Sequence, residues 1–336
     1  MSERPPTPML FFETINAFQR SAVLKSAIEV DLFTAIARGQ NRAETIGAAC
    51  KIPARSARIL ADYLTVLGFL TKSGEAYALT ADSATFLNRE SPAYVGGAVE
   101  FLWSPHMREQ FEHLTESLRA GGAPEDSGSL NPEDEMWVRF ARGMAGLFGM
   151  PAEALARRVI GAETNTPMRV LDVAAGHGLY GIAFARLNPN AKVVASDWRN
   201  VLAVAQENAQ KAGVQDRHST IAGSAFDVDW GGDYDVILLT NFLHHFRPEE
   251  NVRLLKKVHG SLKAGGRVVA LEFVPNEDRI TPPTSAAFAM TMLATTPGGD
   301  AYTFAEYGPM FREAGFGGVE FWNLEPTMQQ VVVGRK

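Results

Sequence analysis

The chain has 336 residues, with 32 basic and 38 acidic side chains and a formal net charge of −6. This length exceeds one compact core and favours two domains, while the acidic balance disfavours a nucleic-acid partner. A single cysteine, Cys50, excludes an internal disulfide and a cysteine-ligated zinc site, and we expect no metal. No apolar run approaches the ~20 residues of a membrane-spanning helix. We therefore expect a cytoplasmic protein without a membrane partner.

The first predicted element is a helix over residues 10–36, where apolar side chains recur at helical spacing. Phe11, Phe12, Val23 and Leu24 add a second apolar face to this helix. A helix that is apolar on more than one side needs more than one packing partner. We expect a second subunit to be one of these partners.

Residues 41–90 follow with the pattern helix, helix, hairpin, which is typical of a winged helix. Asn41 is the expected cap of a helix that ends at Cys50, and Pro53 begins a helix that ends before Gly68. A winged helix can bind DNA, but this stretch carries six positive and five negative side chains. A net charge of +1 is too small for the phosphate contacts that dominate such binding. The pattern therefore favours a structural or dimerising role for this stretch, within a first domain that we place at residues 1–95.

Residues 96–165 form a predicted helical segment that is rich in aromatic residues and methionine. These side chains pack in protein cores, and they also line pockets for flat apolar ligands. Both interpretations stay open for any one of them. The candidate substrate contacts are Trp103, His106, Met107, Phe140 and Met144, together with Met290 further along the chain.

From residue 166 onwards strands alternate with helices, which predicts a parallel sheet with helices on both faces. A buried strand over residues 170–173 contains Asp172 near its end and leads into a turn of small residues at 174–178. A helix follows over residues 179–187. Such a turn brings backbone N–H groups and the positive end of a helix dipole close to a ligand. The sequence therefore predicts a cofactor site here.

The ends of the later strands narrow the choice of cofactor. Asp197 closes the next strand, where an acid can accept hydrogen bonds from ribose hydroxyls. Residues 223–226 end a third strand and suit contact with a purine, and residues 240–246 end a fourth. The glycine spacing alone leaves dinucleotide and nucleoside ligands open. The sheet is expected to end in an antiparallel hairpin within residues 319–333.

These features together resemble the S-adenosylmethionine (SAM)-dependent small-molecule O-methyltransferase family, which includes the caffeate and hydroxyindole enzymes and bacterial relatives. The resemblance rests on Leu-Asp-Val-Ala-Ala-Gly-His-Gly at 171–178, Asn-Phe-Leu-His-His-Phe at 241–246 and Arg-Glu-Ala-Gly-Phe at 312–316. It implies an α/β fold with a Rossmann-like seven-stranded SAM methyltransferase domain at residues 166–336. It also implies an N-terminal helical winged-helix dimerisation domain and a homodimer.

The resemblance implies SAM as cofactor and S-adenosyl-L-homocysteine (SAH) as product. Asp172 and the 174–178 turn match the site for the methionine part of SAM, and Asp197 matches the acid that binds ribose. The implied cofactor contacts are Asp172, Ala174, Gly176, Gly178, Asp197, Trp198, Ser224, Ala225, Phe226 and Asn241. The chain departs from the family at Ser224 and Ala225, where an acid usually precedes Met or Phe. It also has Thr240 where many plant members have lysine.

His244 matches the catalytic base of the family, and Glu272 and Asp300 fall near two acids that orient or assist it; His245 is the alternative base. A phenol with a pKa of ~10 is protonated at neutral pH, so a histidine that takes its proton speeds methyl transfer. The implied function is methyl transfer from SAM to a hydroxyl of a small, largely apolar, aromatic acceptor. Two alternatives stay open: methylation of a keto-acid or macrocycle carbon, and a SAM-binding protein that transfers no methyl group.

Overall fold

The computed structural model describes residues 5–125 and 133–336. The chain packs as two compact units, Met1–Trp103 and Ser104–Lys336. The boundary between them falls inside the segment 96–165, and the three-part division of the chain stays a prediction. Within the described ranges, no helix combines the length and the apolar character needed to cross a membrane.

The first unit contains short helices and one hairpin. Its elements are α1 (Met9–Ile15), α2 (Ala17–Glu29), α3 (Leu32–Ala37), α4 (Ala43–Cys50), α5 (Ala54–Val66), β1 (Leu70–Ser73), β2 (Ala76–Leu79), α6 (Ala81–Phe86) and α7 (Val99–Leu102). Leu32, Phe33, Ile46 and Leu64 form the centre of its core. The two strands pair antiparallel with Leu70 opposite Leu79. The unit therefore has the predicted order of two helices and a hairpin.

Two predictions about this unit were wrong. Residues 10–36 form three helices rather than one, because the chain turns at Asn16 and again at Asp31, which has a φ of 58°. Helical periodicity does not detect such local turns, since the apolar spacing continues through them. Asn41 does not cap α4, which begins one residue later, after Arg42. The Asn41 carbonyl instead accepts the Tyr77 N–H at 2.8 Å.

The second unit contains a mixed sheet covered by helices. Its elements are α8 (Pro105–Glu112), α9 (Leu114–Ala120), α10 (Glu135–Ile160), β3 (Met168–Val173), α11 (Leu179–Leu187), β4 (Ala191–Asp197), α12 (Arg199–Lys211), β5 (His218–Ala222), β6 (Tyr234–Thr240), α13 (Pro248–Ser261), β7 (Leu262–Glu272), α14 (Pro283–Thr295), α15 (Phe304–Glu313), β8 (Gly318–Asn323) and β9 (Gln330–Arg335). The predicted strands and helices are present, and α14 is an additional helix.

The sheet has seven strands in the order β5-β4-β3-β6-β7-β9-β8. The first five are parallel, and β9 runs antiparallel to β7 and β8. The predicted seven-stranded α/β fold is therefore confirmed. The strand order reverses at β3, which lies between β4 and β6. In open sheets of this kind a crevice forms at the carboxyl ends of the strands beside that reversal, and ligands bind there.

Apolar side chains cover both faces of the sheet. Val170 of β3 packs with Leu155 of α10 and Phe184 of α11 on one face. Leu171, the next residue along, packs on the other face in a cluster with Leu255 of α13. Successive residues of a strand point to opposite faces, so a strand buried on both faces reads as a continuous apolar run. This explains why β3 and β6 are evident in the sequence.

Candidate active site

Asp172 anchors the turn between β3 and α11. The side chain is fully buried, and its Oδ2 atom accepts the Gly181 N–H at 2.9 Å. A Cβ atom at Gly181 would lie 2.7 Å from Val193 Cγ1 and 3.0 Å from Asp172 Oδ2. The absence of a side chain at Gly181 therefore lets α11 approach the end of β3 and lets the carboxylate bind its first turn.

The turn itself has a left-handed backbone at Ala174, Gly176 and Gly178, with φ values of 52°, 57° and 72°. Glycine adopts this region freely, whereas alanine does so at a cost. A Cβ atom at Gly178 would also lie 2.8 Å from Ala205 Cβ of α12. Glycine at 178 is thus required both by its backbone and by close packing.

Most N–H groups of this turn are bound within the protein. The Gly176 N–H donates to Asp197 Oδ2 at 2.8 Å, and the Leu179 N–H donates to His177 Nδ1 at 3.1 Å. Burial lowers the pKa of His177 to about 4, so its ring is neutral and its Nδ1 atom can accept the N–H of Leu179, the first residue of α11. The turn therefore presents acidic oxygens rather than a set of free N–H donors. Such a site suits a ligand that carries positive charge and hydroxyl groups better than it suits a phosphate.

Two acids supply those oxygens. Asp197 accepts the Gly176 N–H and also accepts the Trp198 N–H through Oδ1 at 2.7 Å. Asp172 Oδ1 is buried and has no hydrogen-bond partner among the described residues. Burial raises the pKa of Asp172 to about 7 and that of Asp197 to about 6. A buried acceptor without a partner is costly, and the cationic SAM molecule is a ligand that would relieve this cost.

The other predicted cofactor residues lie at the neighbouring strand ends. Ser224 Oγ accepts the Phe226 N–H at 3.2 Å, and the Phe226 ring packs edge-on against Phe246 at 5.0 Å. The Ala225 carbonyl accepts Lys257 Nζ at 2.7 Å. Trp198 packs beside α10. Contacts of these residues with a cofactor stay predictions.

Asn241 shows a link that the sequence did not reveal. It has a φ of 55°, its N–H donates to the Leu271 carbonyl at 2.8 Å, and its side-chain oxygen accepts an N–H of Gln329. Gln329 lies just before β9, 88 residues further along the chain. The signal for this pairing is a run of two glutamines directly before the apolar residues 331–333.

His244 and Glu272 form a buried pair. His244 lies in the short 3-10 turn Leu243–His245 after β6, and its Nδ1 atom is 2.5 Å from Glu272 Oε2. The other carboxylate oxygen of Glu272 accepts the Phe242 N–H at 2.9 Å and the Leu243 N–H at 2.8 Å. Glu272 thus holds both the imidazole and the turn that carries it. Nε2, on the other side of the ring, is the nitrogen left to exchange a proton with a substrate.

Rings surround the imidazole of His244. His245 lies 4.4 Å away by ring centroid and Phe288 of α14 lies 4.8 Å away. Burial and the neighbouring His244 hold the pKa of His245 well below its usual value, so this ring is neutral. Its outer side meets Trp137 of α10 edge-on at 5.7 Å.

Asp300 lies apart from the pair that His244 forms with Glu272. Its carboxylate is 3.6 Å from the Arg279 guanidinium and accepts the Ala301 N–H at 2.8 Å. Burial raises the pKa of Asp300. The structure therefore brings Glu272 to His244 and brings Asp300 to Arg279, and assistance by Asp300 stays a prediction.

The predicted substrate residues occupy several elements. Phe140 of α10 lies 3.9 Å from the position of a Cβ atom at Gly176, and its ring is 5.8 Å from Trp137. Met144 is buried one turn later, whereas Met290 of α14 is exposed. His106, Met107 and Trp103 are half-buried. His106 and Met107 lie on α8, which packs against α14, and Trp103 is the last residue of the first unit.

The aromatic face of α10 therefore extends along the carboxyl edge of the sheet. It passes from the cofactor turn at Gly176 to the histidines at the end of β6. Among the side chains that the structure describes, no group of three or more His, Cys, Asp or Glu residues could hold a metal ion.

The chain also matches two protein-family models. A family model described as the O-methyltransferase domain matches residues 129–317, and a model described as the O-methyltransferase dimerisation domain matches residues 12–89. The chain is 29% identical over 334 residues to 3-hydroxy-5-methyl-1-naphthoate 3-O-methyltransferase of Streptomyces sahachiroi, covering 98% of this chain and 95% of that protein. It is 28% identical to the tetracenomycin polyketide synthesis 8-O-methyl transferase TcmO of Streptomyces glaucescens, covering 89% and 88%.

A solved structure is similar over nearly the whole chain. This candidate O-methyltransferase from Nostoc punctiforme is 49% identical and superposes with a TM-score of 0.94. The match covers 99% of this chain and 100% of that one. The similarity therefore includes both units of the fold.

Proposed function

The chain belongs to the O-methyltransferase family and is a SAM-dependent methyltransferase, and from this premise we propose that it methylates a hydroxyl of a small, largely apolar, aromatic acceptor. His244 is the general base of this reaction. The observation that carries the proposal is the buried contact of 2.5 Å between His244 Nδ1 and Glu272 Oε2.

The pair supplies base catalysis in the following way. A carboxylate accepts a hydrogen bond, so Glu272 fixes the proton of neutral His244 on Nδ1 and leaves Nε2 as the acceptor. Nε2 takes the proton of the acceptor hydroxyl as the new oxygen–carbon bond forms. The imidazolium that results is stabilised by Glu272, because opposite charges in contact favour the charged form. General-base catalysis of this kind contributes ~10²–10⁴-fold.

Residues at the first strand ends are proposed to hold the cofactor. Asp197 accepts hydrogen bonds from the ribose hydroxyls of SAM, and the negative charge of Asp172 stabilises the positively charged methionine part of SAM. The small residues of the 174–178 turn let the methionine part of SAM approach the protein backbone closely. SAM supplies the electrophilic methyl group when it is bound. Alignment of the hydroxyl with that group is the main task left to the protein.

The acceptor class follows from the rings near the base and from two relatives. Trp137, Phe140 and Phe288 present flat apolar surfaces around the crevice, which suits an aromatic ligand. One relative is named for a hydroxynaphthoate and the other for tetracenomycin polyketide synthesis. We propose a phenol, a naphthol or a polyketide-like phenol as the acceptor.

We also propose a homodimer formed through the first unit. α1 has no buried residue, and Leu10, Phe11 and Phe18 of α1 and α2 are each at least 60% exposed. A contiguous apolar surface of this kind is typical of a protein interface. A cytoplasmic location stays a prediction from the sequence.

The experiment that tests the function uses SAM labelled in its methyl group, with naphthols, phenols and keto acids as acceptors. Label on an aromatic oxygen, and at least a hundredfold lower turnover in His244→Ala with unchanged SAH affinity, would support the proposal. Label on carbon would favour carbon methylation instead. Tight SAM binding without transfer to any acceptor would favour a protein that does not methylate.

A further inference from the structure

The turn that carries His244 is held by side chains other than its catalytic partner. The Leu243 carbonyl accepts Asn251 Nδ2 at 2.9 Å. The Phe246 carbonyl accepts the same Nδ2 at 3.3 Å and the Tyr302 hydroxyl at 2.7 Å. The carbonyls on either side of the two histidines are therefore bound by two side chains, Asn251 from the helix that follows the turn and Tyr302 from 56 residues further along the chain.

Asn251 is unusual for its place in α13. The residue is fully buried, and its Oδ1 atom has no hydrogen-bond partner in the described parts of the chain. A buried amide with an unpaired oxygen is unfavourable, and an apolar side chain of the same size would avoid that cost. The two hydrogen bonds that its Nδ2 group donates to the turn offset the cost of the unpaired oxygen.

Tyr302 approaches the same turn from the segment before α15. It is 4% exposed, and its hydroxyl makes the shortest hydrogen bond to the turn from this side. Gly299, in the same segment, has no room for a side chain, since a Cβ atom there would overlap the His244 carbonyl oxygen. The segment is thus pressed against the turn.

The turn is therefore fixed on two sides. Glu272 binds its N–H groups, and Asn251 and Tyr302 bind its carbonyls. A shift of the turn would move the imidazole away from both Glu272 and the acceptor, and small displacements of reacting groups lower rates steeply.

We propose that Tyr302 and Asn251 are positioning residues, which hold the carbonyls of Leu243 and Phe246 so that His244 Nε2 meets the acceptor hydroxyl. They act through the backbone of the turn and touch neither substrate nor cofactor. This inference rests on the proposed role of His244 as the base, and it adds the part of the fold that aligns that base.

The chain offers a matched pair of tyrosines for the test. Tyr307 is fully buried and its ring lies 5.7 Å from that of Tyr302, but within the described ranges its hydroxyl has no hydrogen-bond partner. Tyr302→Phe and Tyr307→Phe each remove one buried hydroxyl from the same region. Only the first removes a hydrogen bond to the turn.

We expect Tyr302→Phe to lower kcat for 2-naphthol about tenfold, and Tyr307→Phe to leave it within twofold. SAH affinity, measured by calorimetry, is expected to stay within twofold in both. The defect of Tyr302→Phe should shrink along a series of 2-naphthols with increasingly acidic hydroxyls, because such acceptors need less help from a base. A merely structural role would lower the rate equally for all of them.

A second measurement does not depend on turnover. In ¹⁵N-histidine-labelled protein, the short hydrogen bond from His244 Nδ1 to Glu272 gives a far-downfield proton signal, which His244→Ala identifies among the seven histidines. We expect this signal to shift or broaden in Tyr302→Phe and in the isosteric Asn251→Leu, and to stay in place in Tyr307→Phe.

The outcomes separate this inference from the proposed function. An inactive His244→Ala together with a Tyr302→Phe enzyme that has the kcat and the imidazole signal of Tyr307→Phe would overturn the inference alone. Full turnover by His244→Ala would overturn the proposed base and the inference with it. Asn251→Leu with wild-type kcat and signal would remove Asn251 from the proposal.

Discussion

Glu272 Oε2 lies 2.5 Å from His244 Nδ1, and the side chains of the two residues are 0% and 5% exposed. A carboxylate buried this completely is costly unless it is well bound. Glu272 meets this requirement with three hydrogen bonds, one to the imidazole and two to backbone N–H groups. Glu272 therefore uses its two carboxylate oxygens to bind the imidazole of His244 and the backbone of the turn that carries it.

The first prediction concerns the charge of Glu272. In Glu272→Gln the amide oxygen can still accept the Phe242 and Leu243 N–H groups, but the NH₂ group then faces His244 Nδ1. The histidine would respond by carrying its proton on Nε2, where it cannot act as a base. We expect kcat to fall ~10²–10⁴-fold, with SAH affinity unchanged in calorimetry. A variant that turns over like the wild type would show that the pair does not act in catalysis.

The second prediction concerns pH. Burial raises the pKa values of Asp172 to about 7 and of Asp197 to about 6. Without ligand, the folded protein therefore holds protons that the unfolded chain releases near pH 4. The contribution of these two acids to the free energy of unfolding should therefore fall as the pH rises from about 4 to about 7, while the lowered pKa values of His177 and His245 contribute in the opposite direction. SAM is cationic and favours the ionised acids, so its affinity should rise over the same range.

Calorimetry between about pH 5.5 and pH 8 tests this, with an expected gain in SAM affinity of about tenfold or more. Buffers of different ionisation enthalpy should reveal proton release on binding. Asp197→Asn is the matched variant, and its SAM affinity should be lower at every pH and vary less. A constant affinity across the range would contradict the assignment of these acids to the cofactor.

The third prediction concerns the close approach at Gly181. Gly181→Ala would place a Cβ atom 2.7 Å from Val193 Cγ1 and 3.0 Å from Asp172 Oδ2. We expect a loss of about 1–3 kcal/mol in the free energy of unfolding, as for other overpacked sites, and weaker SAM binding because Asp172 moves. Thermal unfolding with and without SAM measures both effects.

Gly149→Ala is the control for this substitution. Gly149 also lies within a helix, α10, and a Cβ atom there would meet nothing within 4 Å. Alanine forms helices more readily than glycine by about 1 kcal/mol, so this variant should be equally stable or more stable. If Gly181→Ala and Gly149→Ala have the same free energy of unfolding, the fold does not depend on close packing at Gly181.

The fourth prediction concerns assembly. Light scattering should give the mass of two chains for the wild type. The triple change Leu10→Glu, Phe11→Glu and Phe18→Glu should give the mass of one, because charge on both sides of an apolar interface prevents its burial. Met328→Glu changes an exposed apolar residue of the second unit and should leave the mass unchanged. A wild-type protein with the mass of a single chain would refute the proposed dimer.

The sheet could be predicted from the sequence because its strands are buried on both faces. β3 and β6 therefore appear as short apolar runs that end in polar or small residues. α14 was missed, since its sequence from Pro283 to Thr295 is small or apolar on every side and lacks the period of a surface helix. The prediction of a single helix over residues 10–36 was wrong at Asp31, because the left-handed backbone of this residue turns the chain without interrupting the apolar spacing.

Some residues of the candidate site could likewise be predicted from the sequence, and others could not. Asp172, Asp197, His244 and Glu272 lie at strand ends, and parallel topology brings such positions together. Asp300 lies in a loop, and nothing in the sequence shows that its carboxylate meets Arg279. Asn251 offered one unused signal, because an asparagine among the apolar positions of an amphipathic helix is unlikely to be there for packing.

The position of β9 limits the order in which the protein can be completed on the ribosome. β8 is synthesised before β9, yet β9 is its partner, and β7 also keeps an open edge until residues 330–335 have emerged. A released chain that ends near residue 325 would therefore display two strand edges with unpaired backbone groups, which favour aggregation. We expect such a chain to bind chaperones and to be cleaved by protease within residues 318–323, whereas the full chain resists cleavage there.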